Sequence, residues 1–418
     1  MTSTSSSAPE PGADAAPSPA LAAPSIALLI VVGAFSPFAL TISVPALPDL
    51  SNAFGVSLDR SQFIISLFLL GLAAAQPVHG ILADHFGRRP VLIGAFSLFL
   101  LATLACAFAP DINTLIGLRI VQALGVAAGT VVARAVIRDT SGPEQSMRLI
   151  AYLAAGIGLA PTIAPMLGGV VVESWGWRGS FYLAAGAALV VWVWLVRGLP
   201  ETLRQSHAIR DDVGAGTGRI LIVIRSPAFW GYTLTYGFSN AGFFCFLTNG
   251  PTFFAEVLNI GPRAFGVFIG ALSGAYVCGA YLSSALVRRA GMWRTLRFGV
   301  IAMIGGAIIV LGAPLVTEPS VLAIGLPFML LYAATGVVNP AAMTGAVMCR
   351  QEVAGTASGL SSSMGMAIGA LGATVASYFY TGSFLSVVAP VSGTVVVVAI
   401  AYLLVVLDRG HRETYHGA

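Results

Sequence analysis

The sequence predicts an all-α integral membrane protein with twelve transmembrane helices in two pseudo-symmetric six-helix bundles. Hydrophobic residues make up 57% of the 418 residues and charged residues only 9%, whereas about a quarter of a soluble globular domain is charged. About twelve apolar stretches, of roughly 20 residues each, are long enough to cross a hydrocarbon core. Backbone N–H and C=O groups in a bilayer need partners within their own segment, so these stretches are expected to be helices.

The predicted spans divide into two groups of six. The first six are 26–48, 61–83, 90–109, 112–135, 147–172 and 179–197. The second six are 228–250, 264–287, 293–314, 319–341, 354–378 and 385–407. The longest polar interruption, 198–227, separates the groups and is rich in glycine and arginine. We therefore interpret 26–197 as an N-terminal six-helix bundle, 198–227 as a linker and 228–407 as a C-terminal six-helix bundle.

The placement of the basic residues predicts how the chain is oriented. All 21 basic residues are arginines; 17 fall on the side of the two termini, three on the other side, and Arg119 lies inside a span. By the positive-inside rule, both termini and the linker are predicted to be cytoplasmic. Residues 1–25, rich in Ser, Ala and Pro, and 408–418 are then cytoplasmic tails, and the first is expected to be disordered. Nucleic-acid binding is not expected, because it requires one contiguous basic face.

A charged turn between the second and third spans is the most informative motif. It reads GILADHFGRRP and begins at Gly80. Its glycines permit a tight reversal, and its opposite charges lie within reach of one another and of helix termini. Those charged residues are Asp84, Arg88 and Arg89. A decayed copy, LVRRAGMWR, occupies 286–294 and aligns Gly291 with Gly87, so the chain looks like a duplicated six-helix unit.

This motif resembles the signature loop of the major facilitator superfamily. The resemblance implies two bundles that rock about a substrate site at the membrane midplane. It also implies that Asp84 meets the N-terminus of the eleventh helix, near Ala354, and locks an outward-facing state. The predicted cytoplasmic gate comprises Gly80, Asp84, Gly87, Arg88, Arg89, Arg138, Asp139 and Glu201, with Arg134 in the charge cluster beside it. Each charged member could equally be a surface charge that only orients the chain.

The fifth span carries the sequence GIGLAPTIAPMLGG, which begins at Gly156. Two prolines in the middle of a helix remove backbone hydrogen bonds and bend it. The pattern resembles the antiporter motif on the fifth helix of drug-exporting members, through Gly156, Pro161, Pro165, Gly168 and Gly169. Ordinary close packing between helices is the alternative interpretation.

Arg119 lies about one third of the way into the fourth span. A guanidinium at that depth is costly, so it is expected to face protein or water. Its spacing to Gln122 places both residues on one helical face, which we expect to point to the central cavity. In the superfamily an arginine at this place belongs to the motif associated with proton coupling, which makes Arg119 the first coupling candidate. The alternative is a structural arginine bonded to the backbone of the first helix.

Segments 38–49, 236–242 and 249–251 resemble the bicyclomycin and chloramphenicol resistance branch of the drug:proton antiporters. That branch commonly carries an acidic residue four positions before the first proline of the Pro-Ala-Leu-Pro segment, where this chain has Thr41. The simplest proton site is therefore missing. Asp49 and Glu256 are second-choice proton sites, although a solvated position at the rim of the protein is favoured for both.

The candidate cavity residues are mostly aromatic with a few polar groups. They are Phe38, Thr41, Gln122, Tyr236, Asn240, Phe243, Phe244, Tyr276, Tyr332 and Asn339. Such a surface suits amphipathic organic molecules. Core packing is the alternative role for each aromatic residue among them.

The predicted function is secondary active transport in a bacterial cytoplasmic (inner) membrane. The chain would export small amphipathic or hydrophobic compounds, as in multidrug or antibiotic efflux, by proton antiport with alternating access. A metabolite exporter or a facilitator without proton coupling is the alternative, favoured by Thr41. No HExxH, GxSxG or P-loop motif is found, so we expect no enzyme, no cofactor and no metal site, and the proton gradient as driving force. The expected partners are a small-molecule substrate and the lipid bilayer, and the expected state is a monomer.

Overall fold

The computed structural model describes residues 24–202, 220–349 and 353–407, which are helical along almost their whole length. The first bundle consists of α1 (Ile26–Phe54), α2 (Leu58–Phe86), α3 (Arg88–Ala107), α4 (Ile112–Thr140), α5 (143–175) and α6 (177–198). The second consists of α7 (Pro227–Glu256), α8 (262–290), α9 (292–316), α10 (Val321–Met348), α11 (Ala354–Tyr378) and α12 (Phe384–Leu407). The fold class predicted from the sequence is therefore confirmed.

Each predicted span coincides with one of these helices, but several helices are longer than predicted. α7 and α10 extend about two turns beyond the predicted ends at 250 and 341, because a helix satisfies its own backbone groups outside the hydrocarbon core as well as within it. Nearly all of the predicted tails and residues 203–219 of the predicted linker lie outside the described residues. The end of that linker, 220–224, is helical.

The first span is interrupted, and the prediction of one continuous helix over 26–48 is wrong. The regular helix Ile26–Thr41 gives way to a 3-10 turn at Val44–Ala46, and a short helix, Leu47–Phe54, follows. Pro45 and Pro48 lie in this region and donate no backbone hydrogen bond, which disfavours a continuous α-helix.

Glycines in the left-handed region of φ join consecutive helices without a loop. Gly87 has φ +101° between α2 and α3, and Gly291 has φ +80° between α8 and α9. Gly176, with φ +67°, joins α5 to α6 in the same way. Residues with a Cβ are disfavoured in this conformation, which explains why glycine occupies these positions. Gly87 and Gly291, which the sequence repeat aligns, therefore have similar φ angles at equivalent turns of the two bundles.

α7 differs in composition from the other helices. Nine described stretches are apolar and long enough to cross a membrane, two of them the double-length segments Arg148–Gly198 and Pro262–Val316. Pro227–Glu256 is not among them, since it carries many Ser, Thr and Asn residues. Most of these polar residues, such as Thr233 and Asn249, are fully buried. α7 therefore directs its polar side chains toward other helices, whereas α9 exposes isoleucines such as Ile301 and Ile308 on its outer surface.

The two bundles meet along α5 with α8 and along α2 with α11. We call the side that carries the α2–α3 and α8–α9 turns the terminal face and the other side the opposite face. Near the opposite face, a Cβ at Gly169 would overlap the carbonyl oxygen of Pro262, and one at Gly266 would overlap that of Pro165. The Gln62 side-chain amide also donates to the Thr248 carbonyl at 3.1 Å. The bundles are therefore in direct contact near the opposite face.

Replacing Gly266 by Leu should separate the bundles near the opposite face. The added side chain would overlap the α5 backbone, and overpacking of this kind costs about 1–3 kcal/mol, which lowers the population of this conformer roughly 5- to 150-fold. Spin labels at positions 52 and 318, in a cysteine-free background, would report the distance across the opposite face.

The matched control is Gly274→Leu, on the same helix, where a Cβ would meet nothing within 4 Å. We expect longer distances for Gly266→Leu only. Unchanged distances, or the same change in both variants, would contradict the proposed role of this contact.

Candidate functional site

A cavity of about 240 Å³ lies between the two bundles. Its walls come from α1, α2, α4 and α5 on one side and α7, α8, α10 and α11 on the other. Seven predicted residues line it: Thr41, Tyr236, Asn240, Phe243, Phe244, Tyr276 and Tyr332. Polar lining residues that the sequence analysis did not place there are Ser36, Gln76, Thr130, Arg134, Ser273, Thr335 and Ser362. We call this space the central cavity.

Three predicted cavity residues lie elsewhere, and for these the prediction is wrong. Gln122 is only 1% exposed, because its face of α4 turns into the first bundle. Phe38 packs beside Phe35, with ring centroids 5.3 Å apart. Asn339 is 2% exposed and lies behind the cavity wall.

Asn339 nevertheless organises one wall of the central cavity. Its side-chain amide donates to Asn240 Oδ1 at 3.0 Å and to the Tyr276 hydroxyl at 3.4 Å. Its own oxygen accepts a hydrogen bond from the Ser239 hydroxyl. The Asn240 amide in turn donates to the Tyr236 carbonyl at 2.9 Å. This network ties α7, α8 and α10 together and presents an uncharged polar surface to the cavity.

A second wall is aromatic. The Phe243 ring lies edge-on to Phe244 and Tyr332, with centroids 5.7 and 5.5 Å away. The Tyr332 hydroxyl is buried and has no hydrogen-bond partner among the described residues. Aromatic faces beside an unpaired hydroxyl and the amide network suit a molecule with both apolar and polar parts.

Arg119 is fully buried inside the first bundle rather than in the central cavity, so its predicted orientation is wrong. Its Nη1 donates to Gln122 Oε1 at 2.6 Å and to the Ala39 carbonyl of α1 at 3.2 Å, and its Nε donates to the Ile64 carbonyl at 3.3 Å. The guanidinium also lies 4.2 Å from the centroid of the Phe68 ring. These bonds join α1, α2 and α4, in the geometry of a structural arginine. A role in proton coupling stays a prediction.

Neither of the two candidate carboxylates for proton binding, Asp49 and Glu256, lies in the central cavity. Thr41 lines the cavity, and its hydroxyl donates to the Pro37 carbonyl at 2.7 Å. Asp49 borders a separate cavity of about 270 Å³ near the opposite face, together with Asn259 and Pro262. Glu256, at the end of α7, is exposed. No acidic residue lines the central cavity within the part of the chain that the structure describes.

At the terminal face, Arg88 connects several of the predicted gate residues. Its guanidinium pairs with Asp84 and, through Nε at 2.9 Å, with Asp139. The Arg88 side chain is 9% exposed, whereas Asp84 is 71% exposed. The residues just before α11, 350–352, lie outside the described residues. The predicted contact of Asp84 with the N-terminus of α11 therefore stays a prediction. It would form in a second conformer, in which the two bundles meet at the terminal face.

Glu201 caps α3. Its carboxylate accepts hydrogen bonds from the backbone N–H groups of Arg88 at 3.0 Å and Arg89 at 3.1 Å. Free N–H groups at a helix N-terminus favour an anion. A Cβ at Gly87 would lie only 2.6 Å from Glu201 Oε2, so glycine serves both the turn and the cap. The first bundle thereby holds its predicted gate turn in place.

The other predicted gate residues lie outside this cluster. Arg138 is exposed, and its Nε donates to the Arg134 carbonyl at 3.4 Å. Gly80 faces Val131 of α4. The Arg134 side chain lines the central cavity instead of joining the charge cluster, so that expectation is wrong. Arg134 lies at the end of the predicted span 112–135 and is one of the 17 arginines assigned to the terminal side, but its side chain lines the cavity. An ionisable residue that faces a cavity between spans indicates a functional site.

The predicted antiporter motif of α5 lies against α1 and α8. Gly156 and Gly168 face Ile30 and the Ile42 carbonyl of α1, and Gly169 faces α8. The Pro161 carbonyl accepts a hydrogen bond from the Ser273 hydroxyl of α8 at 3.1 Å. The motif thus mediates close packing both within the first bundle and across to the second, as in the packing alternative, and its role in antiport stays a prediction.

Two six-helix bundles that enclose a cavity at their interface define a multi-pass membrane transporter. The chain belongs to the Major Facilitator Superfamily, whose sequence profile matches residues 29–374.

Named relatives extend over most of the chain. A chloramphenicol resistance protein of Pseudomonas aeruginosa is 28% identical over 354 residues, 82% of each chain. A bicyclomycin resistance protein homolog of Haemophilus influenzae is 26% identical over 359 residues, 84% of this chain and 88% of that one. The transporter YdgK of Bacillus subtilis, itself uncharacterized, is 26% identical over 257 residues, 61% of this chain and 64% of that one.

Solved structures share the fold. A D-xylose-proton symporter superposes with a TM-score of 0.74 at 14% identity, covering 91% of this chain and 96% of that one. A bacterial homolog of the human lysosomal transporter Spinster superposes with a TM-score of 0.73 at 17% identity, covering 91% and 95%. These likenesses concern the arrangement of the helices.

Replacing Asp84 by Asn should slow transport without lowering the melting temperature of the purified protein. Asp84 is 71% exposed, and the largely buried Arg88 keeps its second partner, Asp139. Ion pairs open to solvent contribute about 0–1 kcal/mol, so the loss of the Asp84–Arg88 pair should have little effect in this conformer. The conformer closed at the terminal face would lose its anion at the α11 N-terminus. The control is Glu173→Gln, an exposed carboxylate on α5, and normal transport by Asp84→Asn would refute the gate role.

Replacing Arg119 by Met should lower the melting temperature. It leaves the buried Gln122 side-chain oxygen without its donor and removes the bonds from Arg119 to α1 and α2. An unsatisfied buried group costs about 1–3 kcal/mol. Arg148→Met, which removes an exposed arginine, should leave the melting temperature unchanged. If Arg119→Met abolished transport with wild-type melting, the structural role would be wrong and a direct role in coupling favoured.

Proposed function

We propose that the protein exports small amphipathic or hydrophobic compounds from the cytoplasm, as in multidrug or antibiotic efflux, by alternating access. The observation that carries this proposal is the central cavity, in which the aromatic wall faces small polar side chains between the two bundles. Relatives named for resistance to chloramphenicol and bicyclomycin support the same substrate range. The expected partners are one small-molecule substrate and the bilayer, with the protein acting as a monomer and without enzymatic activity.

We place both termini in the cytoplasm and the protein in a bacterial inner membrane. The support is that 17 of the 21 arginines belong to the terminal side, as the positive-inside rule requires. In this orientation the closed contact near the opposite face lies toward the periplasm. We propose that this conformer exchanges its substrate with the cytoplasm, and the contact near the opposite face supports that assignment.

Proton antiport is the proposed driving process, with no bound cofactor. Arg119, Asp49 and Glu256 remain its candidate residues. One observation favours the second candidate function, a facilitator or metabolite exporter without proton coupling. Thr41 occupies the position of the first-helix acid, and no described carboxylate replaces it in the central cavity. Proton coupling normally requires a group that changes its protonation during the cycle.

Uptake of chloramphenicol into inside-out vesicles would test both functions. We expect uptake well above that of vesicles without the protein, and faster uptake when an acid-inside proton gradient is imposed. Thr41→Asp should increase the ratio of gradient-driven to gradient-free uptake, because it adds a proton acceptor to the cavity wall. Thr41→Asn, of similar size but without a titratable group, should not increase this ratio.

The outcomes separate the two functions. No uptake above that of empty vesicles would contradict the export proposal for this compound. Uptake that ignores the gradient in the wild type but follows it in Thr41→Asp would favour the facilitator.

A further inference from the structure

Arg134 is the charged residue of the central cavity. Among the described lining residues it is the one with a formal charge, and no carboxylate accompanies it. It lies on the terminal half of α4, and its side chain is half-buried. The cavity wall therefore carries a single positive charge.

No described group neutralises this guanidinium. The contact with Arg138 uses the Arg134 backbone carbonyl, not its side chain. Asp84 and Asp139, two described carboxylates of the terminal face, both pair with Arg88. No hydrogen bond or ion pair joins the Arg134 side chain to any residue whose side chain the structure describes.

The second bundle cannot supply the missing anion from the part that the structure describes. Its described acidic residues are Glu256 and Glu318, which lie at the ends of α7 and α9 on the opposite face. A charged side chain within a membrane span is costly, and a counter-ion lowers that cost. Among the described residues only neutral side chains share the cavity wall with Arg134, so an anionic group from outside the chain could supply the counter-ion.

We propose that the central cavity prefers amphipathic organic monoanions over neutral compounds, with the anionic group paired with Arg134 and the apolar body against Phe243 and Phe244. This inference rests on the proposed export function and defines its substrate class. A guanidinium forms charge-assisted, two-pronged hydrogen bonds with a carboxylate. The amide network around Asn240 supplies further neutral hydrogen bonds.

The same charge distribution disfavours cationic compounds. A cation in the cavity would meet Arg134 without any described carboxylate to offset the repulsion. Like charges in a poorly solvated site repel more strongly than in water. We therefore expect the order of affinity to be anion, then neutral compound, then cation, for molecules of equal size.

Three bicyclic probes of nearly equal size test this order: 1-naphthoate, 1-naphthamide and protonated 1-naphthylmethylamine. Binding to the full-length protein in nanodiscs would be measured by calorimetry. We expect 1-naphthoate to bind at least 10-fold more tightly than the amide, and the amine to bind most weakly. Arg134→Met should reduce naphthoate affinity to that of the amide without changing amide affinity.

Two further variants define the cause of the preference. Arg134→Lys should retain part of the preference for naphthoate, because it keeps the charge. Arg289→Met removes an exposed arginine beside the α8–α9 turn, and it should keep the full preference. This control separates a local ion pair from an effect of net charge.

The inference is overturned if the amide or amine binds as tightly as naphthoate, or if Arg134→Met keeps the wild-type preference. It is also overturned if naphthoate does not bind. Chloramphenicol uptake in vesicles tests the export proposal independently of the anion preference. Uptake without a preference for naphthoate would refute the anion site alone, whereas absence of uptake would count against the export function.

Discussion

The approach of α5 to α8 determines which side of the molecule the cavity can open to. Gly169 and Gly266 bring the backbone of each helix against a carbonyl of the other. Without a hydrophobic effect between helices in lipid, such close van der Waals contact is a main source of association. The contact holds the bundles together near the opposite face. The remaining space between them therefore lies toward the terminal half of α4, where Thr130 and Arg134 form part of its wall.

Three arginines at different depths show three solutions to the cost of a buried charge. Arg119 directs Nε and Nη1 to neutral carbonyl and amide oxygens that join three helices of the first bundle, while its buried Nη2 has no partner among the described residues. Arg88 pairs with two carboxylates and organises the turn at the terminal face. Arg134 has neither arrangement among the described residues. The first two charges stabilise one bundle, whereas the third remains available to a ligand.

Much of the fold could be predicted because hydrocarbon imposes one secondary structure on every apolar stretch of sufficient length. The turn at Gly87 and its copy at Gly291 were also recognisable, since few residues other than glycine adopt their φ. The orientation of α4 was not predictable in the same way. The first half of α4, Ile112–Val126, is apolar around most of the helix, so the sequence does not show that the face of Gln122 meets the bundle core and not the cavity. In the second half Thr130, Arg134 and Arg138 recur at a spacing of four and mark one polar face. Arg134 lies in the last turn of the predicted span, where a charge at the membrane surface is equally expected, so the sequence alone does not assign it to the cavity.

Thr41 keeps a hydrogen-bond donor where the resemblance to the drug:proton antiporters implies an acidic residue. Its hydroxyl is a donor to the Pro37 carbonyl, which can only accept. A carboxylic acid at this position could make the same bond while protonated, but an ionised carboxylate could not, because it has no hydrogen to give. A threonine hydroxyl stays neutral at every physiological pH. The cavity wall at this position of α1 therefore has the same charge and the same internal hydrogen bond whatever the pH on either side of the membrane.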